Sequence, residues 1–431
     1  MPRPPRHDCG DRACRGRLAR RANLVSLLNC SRARERPCKS YIGRPVRAPR
    51  DMRILFLALD IDLSKQRGDT IHAVELASAF HELGHVVMMV VGAGSSHAPR
   101  TTPQFPVKAL SGSNTKVLAG IRELIRAFTP EIVYERRSTP KIGFAVRLGW
   151  GVPVVMEING ILGEELSSQG RHIRDRDPTG ARRLVRKAMF KSIDRFVAVS
   201  DAISNDLVES CGVKQNRVFV IGNGVNADRF RPIDKGEASS SLGLSADRPR
   251  IVFVGNLVGW RDFDTVLEAL AISQRRIPGL EFIIVGDGPE RARLEKAARS
   301  LPPSTVRFMG EVPYSQVPEW ICASDVCLLP ERRRDVDISP LKLFEYMACE
   351  RPVIGFDVEG LELLESLGAG VLVPSDRPGA LSEVLENLIM NPALRCEMGK
   401  RGRAYVEKDR TWRKVASSIV RVMQGAMGVE P

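Results

Sequence analysis

A near-continuous apolar run, Met52 to Leu59 (MRILFLAL), constrains this chain more than any other stretch. A strand that lacks polar alternation is buried on both faces, as in a parallel sheet covered by helices. Parallel neighbours need a crossover, and the sequence supplies one. A polar loop runs through Gly68, and apolar residues then recur at helical spacing from Thr70 to Leu83 (Ile71, Val74, Leu76, Ala77, Phe80, Leu83). Gly84 stops that helix, and Val86 to Val91 reads as the next strand.

The unit recurs. Ile132 to Tyr134, Val152 to Met156, Phe196 to Val199 and Val218 to Ile221 read as strands, with helices at Val117 to Phe128 and Thr179 to Ile193. Residues 232–248, polar and rich in Gly and Ser, read as a linker. The alternation then restarts. Strands are expected at Ile251 to Val254, Leu280 to Val285, Val306 to Met309, Val326 to Leu329, Pro352 to Gly355 and Gly370 to Val373. Helices are expected at Phe263 to Arg275, Glu290 to Ser300, Tyr314 to Ala323, Leu341 to Met347 and Ala380 to Met390, and from about Asn391 to the end. The expected fold class is α/β, with two Rossmann-like doubly wound domains facing a central cleft. The expected boundaries are a basic extension at 1–51, a first domain at 52–235, a second at 236–415 and a C-terminal helix or tail at 416–431.

The net charge of +14 suggests a nucleic-acid binder until it is located. Residues 1–50 carry 14 Lys and Arg against three acids, a surplus of 11, so the remaining 381 residues carry only +3. The basicity belongs to an arm whose only aromatic is Tyr41, a poor stacking surface for bases. No specific nucleic-acid partner is expected. The arm is expected to be solvated and disordered; the alternatives are a transit-type leader, a start at Met52, and an anchor on an anionic surface or nucleic acid. The nine cysteines show no CxxC pair, which reads as reduced thiols and a cytoplasmic chain. No apolar run approaches the roughly 18 residues of a membrane span.

Chemistry concentrates at loops that follow strands. Gly68 lies in the loop between the first strand and the first helix, where free N–H groups at the helix N-terminus favour anions. Gly286-Asp287-Gly288-Pro289 follows a strand, and glycine there permits close backbone approach to a nucleotide. The richest stretch is Asp335 to Val353 (DVDISPLKLFEYMACERPV). Asp337 lies in its loop, Glu345 on its helix and Lys342 on the first helical turn between them. A cation at a helix N-terminus suits a diphosphate, and a carboxylate suits sugar hydroxyls. The competing reading is an ion pair within the helix, Lys342 with Glu345.

Several blocks in order resemble the family-four glycosyltransferases, retaining enzymes of the GT-B fold that use nucleotide-activated sugars. They are Val254-Gly255-Asn256-Leu257 with Arg261 and Asp264, then Ile284 to Glu290, Phe308 to Val312, and Asp337 to Glu345 followed by Met347 to Val353. In the first half they are Gly68, His72, Glu75-Leu76-Ala77, Leu83-Gly84-His85, Val199-Ser200-Asp201 and Ile221 to Asn226. The resemblance spans about residues 52–415. The sequence departs from the family at Asp337 for the usual Glu, Asn256 for Arg, Arg261 for Lys, and Gly68-Asp69 for a double glycine.

The resemblance implies transfer of a sugar from a nucleotide-diphosphate sugar to a hydroxyl acceptor, in polysaccharide, glycolipid or cell-envelope glycan synthesis. It implies that Glu345 holds the ribose, Asp337 the donor-sugar hydroxyls, and Arg261 and Lys342 the diphosphate, with Glu157 or Asn159 near the reaction centre. Gly68, Gly286, Gly288, Glu311, Val312, Ser339, Pro340 and Leu341 would complete the nucleotide site. No metal and no cofactor beyond the nucleotide sugar are expected, and Asp335-Val336-Asp337 reads as a loop acid, not a metal-binding DxD. Two alternatives are a GT-B-fold nucleotide-sugar epimerase and a non-catalytic protein that binds through its basic tail. The basic residues from Arg171 to Lys191 around Leu184, Val185, Met189 and Phe190 fit either a solvated helix packing its apolar side inward or a helix lying on an anionic membrane. The expected partners are the nucleotide sugar, a glycan or lipid-linked acceptor and, in the second reading, the inner face of the plasma membrane.

Overall fold

The computed structural model describes residues 51–64, 68–92, 103–137, 139–160, 180–332 and 341–429. The basic extension, Arg171, Arg174, Arg176, Asp335, Asp337, Ser339 and Pro340 lie outside the described residues.

The first sheet holds β1 (Arg53–Ala58), β2 (Val86–Gly92), β3 (Val107–Leu110), β4 (Ile132–Arg136), β5 (Val154–Ile158), β6 (Arg195–Ala198) and β7 (Val218–Val220). Its order is β3-β2-β1-β4-β5-β6-β7, and every ladder is parallel. Its crossovers carry α1 (Gly68–Glu82), α2 (Asn114–Phe128), α3 (Lys141–Trp150), α4 (Ala181–Ser192) and α5 (Asp201–Glu209). The second sheet holds β8 (Arg250–Val254), β9 (Glu281–Val285), β10 (Val306–Gly310), β11 (Val326–Leu329), β12 (Val353–Phe356) and β13 (Gly370–Val373). Its order, β10-β9-β8-β11-β12-β13, is also parallel throughout. Around it lie α6 (Lys235–Ser241), α7 (Phe263–Ser273), α8 (Arg291–Ala298), α9 (Val317–Cys322), α10 (Leu341–Ala348), α11 (Leu363–Leu367), α12 (Pro378–Met390) and α13 (Pro392–Tyr405). A last helix, α14 (Trp412–Ala426), follows.

The apolar run of β1 is explained by two cores. Ile54, Phe56 and Ala58 pack with α1 and α14, while Leu55 and Leu57 face Ile121 and Val146 on the opposite side. β8 repeats this, with Val252 and Val254 on one side and Ile251 and Phe253 on the other. In each sheet the winding reverses once, between β1 and β4 and between β8 and β11. Ligands of doubly wound sheets bind at such switch points.

Five elements go beyond the sequence reading: β3, α3, α5, α6 and α11. β3 is a half-exposed edge strand with little apolar signal. α5 is announced by Ser200, whose side chain caps it by accepting from the Ile203 N–H.

Two expectations need correction. Residues 232–248 are not a loose linker. Asp234 caps α6, Lys235 Nζ pairs with Asp325 at 2.8 Å, and the buried Arg250 donates to Ser239 Oγ at 3.1 Å, so the segment belongs to the second domain. The C-terminal helix expected at 416–431 begins earlier, at Trp412, and belongs to the first domain. The long helix expected from Asn391 is broken by a π turn, Val406–Arg410, and α14 returns to the first sheet. There it buries Trp412, Val415, Ile419 and Met423 in the same core as α1. The return strand runs beside the outgoing one. Val225 donates its N–H to Arg410 O at 2.8 Å, and Trp412 donates to Val225 O at 3.2 Å. The boundary expected at 415/416 therefore falls at about 411/412.

Candidate functional site

The two switch points meet. A Cβ built on Gly68, the first residue of α1, would lie 3.6 Å from Leu341 Cδ1, and Leu341 is the first residue of α10. The N-termini of a first-domain helix and a second-domain helix thus converge, and N-terminal N–H groups and helix dipoles favour an anion.

One turn into α10, Glu345 is buried at 3% exposure. Tyr314 donates its hydroxyl to Oε1 at 3.1 Å, and Lys342 Nζ donates to Oε2 at 2.7 Å. The sequence reading set a free cation at the diphosphate against an ion pair within the helix; the structure has the ion pair. Lys342 Nζ also lies 5.7 Å from the centre of the Tyr314 ring. The Tyr314 ring carries a second cation, Arg229, at 5.0 Å. Arg229 in turn donates to Glu75 Oε1 on α1 at 2.7 Å, and Asn226 donates to Oε2 at 3.0 Å. Burial raises the Glu75 pKa, opposed by Arg229 and the Asn226 hydrogen bond. A continuous polar chain therefore runs from α1 through the domain crossing to Glu345. Tyr314, which opens a 3-10 turn, and Arg229, in the domain crossing, escape the sequence reading because only the fold brings them to α10.

Arg261 lies after β8, across the switch point from β11. It pairs with Glu331 at 2.6 Å and stacks on the Phe253 ring at 4.7 Å. Glu331 is a partner that no sequence pattern marked. The glycine turn has a more specific reason than nucleotide approach. Gly286 has φ +130°, and a Cβ there would fall on Gly255 O; a Cβ on Gly288 would fall on Leu257 O. These glycines let the loop after β9 lie against the loop after β8, so the close approach they permit is to the chain's own backbone. Glu311 is exposed beyond the end of β10, and Val312 packs on the second-domain core.

A second cluster occupies the carboxyl edge of the first sheet. Glu157, near the end of β5, is 1% exposed. His72 Nε2 lies 2.9 Å from Oε1, Asn159 Nδ2 donates to Oε1 at 2.6 Å, and the Tyr134 hydroxyl donates to Oε2. Arg136 Nε is 3.6 Å from Oε1, and its Nη1 is 3.9 Å from Asp60. Burial alone would raise the Glu157 pKa, but His72, Arg136 and the Tyr134 hydrogen bond outweigh it and hold it at about 2. Its neighbour Glu135 goes the other way: burial raises it to about 7 against the Gly143 N–H and Arg137. Trp412 closes the cluster, its ring 4.9 Å from His72. Tyr134 and Arg136 carried no sequence signal beyond their position at the end of a strand.

On α4, Phe190 is buried, but Leu184 and Val185 are 71% and 54% exposed beside Arg183 and Lys191. The apolar side is therefore only partly turned inward. Among the described residues no group of acids, histidines and cysteines could hold a metal, and no helix is long and apolar enough to cross a membrane.

Two parallel-sheet α/β domains that meet at their switch points define a GT-B protein. Residues 67–229 match the model of Glycosyltransferase Family 4, and residues 248–391 match that of Glycosyl transferases group 1, together well over half of the chain. The chain belongs to this glycosyltransferase family. It is 29% identical over 272 residues to D-inositol 3-phosphate glycosyltransferase 2 of Catenulispora acidiphila, covering 60% of this chain and 62% of that one. It is 28% identical over 209 residues to a GDP-mannose-dependent monoacylated alpha-(1-6)-phosphatidylinositol monomannoside mannosyltransferase of Corynebacterium glutamicum, covering 47% and 55%. The matches thus span less than two thirds of either relative's length. HepE of Anabaena, solved in complex with UDP, superposes with a TM-score of 0.70 at 17% identity, covering 87% of this chain and all of that one.

Proposed function

We propose that this protein is a retaining glycosyltransferase that moves a sugar from a nucleotide-diphosphate sugar to a hydroxyl acceptor. The observation that carries the reading is the buried Glu345 beside Lys342 at the head of α10, facing the head of α1. Glu345 takes the ribose hydroxyls, Asp337 those of the donor sugar, and Arg261 and Lys342 the diphosphate. As the bond from the anomeric carbon to the phosphate oxygen breaks, charge grows on the leaving diphosphate, and preorganised cations stabilise it. The acceptor oxygen bonds to the same face of that carbon, and its proton passes to the departing phosphate. These cations make a metal unnecessary.

The Corynebacterium relative, named for a phosphatidylinositol monomannoside, supports a lipid-linked acceptor in glycolipid or cell-envelope glycan synthesis, and the Catenulispora relative, named for D-inositol 3-phosphate, supports a soluble one. The exposed Leu184 and Val185 among α4 cations fit a peripheral position on the inner, anionic face of a plasma membrane. The test incubates the full chain with UDP-, GDP-, ADP- and TDP-sugars and a lipid extract, and reads product and anomeric configuration by NMR. Transfer with retained configuration is expected. Inversion, epimerised donor without acceptor, or no turnover of any donor would sink the reading. Sedimentation with anionic vesicles should fall on Leu184→Glu; unchanged sedimentation would remove α4 from the membrane.

A further inference from the structure

Glu345 and Lys342 are assigned different parts of the nucleotide, yet they hold each other. Lys342 Nζ sits 2.7 Å from Glu345 Oε2 and 5.7 Å from the Tyr314 ring centre, so it is folded back against the carboxylate. Glu345 is 4% exposed at its side chain and Lys342 is 21% exposed. The carboxylate is thus buried, while the lysine side chain is partly exposed to solvent. The other oxygen is held independently by Tyr314 at 3.1 Å, so Glu345 stays in place when Lys342 goes.

We infer that Lys342 is a latch on the donor site, closed over Glu345 until a diphosphate draws it away. The inference rests on the donor-site reading above. A ribose hydroxyl is neutral and competes poorly with an ammonium for a buried carboxylate oxygen. A diphosphate at the head of α10 offers Lys342 a stronger anion next to helix N–H groups, and its departure frees Oε2 for the ribose. The two halves of the nucleotide therefore bind cooperatively, and the site discriminates against nucleosides that lack phosphate.

Isothermal titration of the full chain tests this with UDP, GDP, ADP and TDP, then with the nucleoside of whichever diphosphate binds. Lys342→Met should weaken the diphosphate by about tenfold or more and tighten the nucleoside by about fivefold, in opposite directions. Loss of both alike, or an unchanged nucleoside, would overturn the latch and leave Lys342 as an ordinary phosphate cation. A measurement on the unmodified protein does not depend on the variant folding: saturating inorganic pyrophosphate should tighten the nucleoside by a similar factor. Competition between the two, or indifference, would also overturn the inference. If none of the diphosphates binds the unmodified protein, the donor-site reading itself fails, and the latch with it.

Discussion

Glu157 in the first domain and Glu345 in the second are both buried carboxylates beside a switch point, and they are held in opposite ways. Glu157 is surrounded by His72, Arg136, Tyr134 and Asn159, of which His72, Arg136 and Tyr134 are themselves buried. Glu345 has one tyrosine and one half-exposed lysine. A saturated, enclosed carboxylate is a fixed part of the frame, since removing it strands two basic groups in a dry interior. A carboxylate whose cation reaches solvent can exchange partners. The first domain thus supplies a rigid wall and the second an adaptable one.

The sharpest way to break this contrast is Glu157→Ala. It should cost about 3–5 kcal/mol of stability by leaving Arg136 and His72 uncompensated, read as the shift of a denaturation midpoint. A loss below about 1 kcal/mol would show that water or rearrangement satisfies the cluster and that the wall is not rigid. Glu345→Gln keeps the volume and the Tyr314 hydrogen bond. It should cost less than about 1.5 kcal/mol of stability while lowering turnover at least about a hundredfold. Near-normal turnover would take Glu345 out of the donor site.

The neighbouring carboxylates of the wall should respond to pH with opposite signs. Glu157, held at about 2 against an ordinary 4.5, contributes stability that is present above pH 4.5 and lost as the pH falls towards 2. Glu135, raised to about 7 from 4.5, keeps a proton in the folded chain that the unfolded chain gives up. Its contribution therefore declines as the pH rises from 4.5 to 7. Glu135→Gln should stabilise the protein at pH 8 by about 1–3 kcal/mol and have little effect at pH 4. A pH-independent effect would mean that Glu135 titrates in the folded chain as it does in the unfolded one. The smallest expected effect is that of EDTA, which should leave transfer unchanged if Arg261 and Lys342 suffice. Inhibition reversed by added Mg or Mn would restore the metal reading of Asp335 and Asp337.

Much of this frame could be read before folding. β1 and β8 announce themselves because both faces are buried, so after the arginine that opens each strand the run is apolar. Glu345 and Lys342 were legible because three residues apart on a helix is a local distance. Glu331, Arg229 and Tyr314 were not, since Arg229 meets Tyr314 and Glu75 only after 85 and 154 residues of intervening chain have folded. Strand-edge position hinted at Arg136, but nothing in the sequence told that its partner would be Glu157. The interruption of the last helix was hidden for a related reason. Its continuation pays no local penalty; α14 leaves the α13 axis because Trp412 and Ile419 find an apolar groove on the distant first sheet.

That return has a consequence for how the protein is made. Trp412, Val415, Ile419 and Met423 fill the core on one side of β1, so the first domain lacks part of its interior until Trp412–Ala426 has been synthesised. While the second domain is emerging from the ribosome, α1 lies on β1 without the helix that completes their shared core. The domain translated first is therefore the last to be completed, and its unfinished core is the surface that chaperones and misassembly compete for during translation.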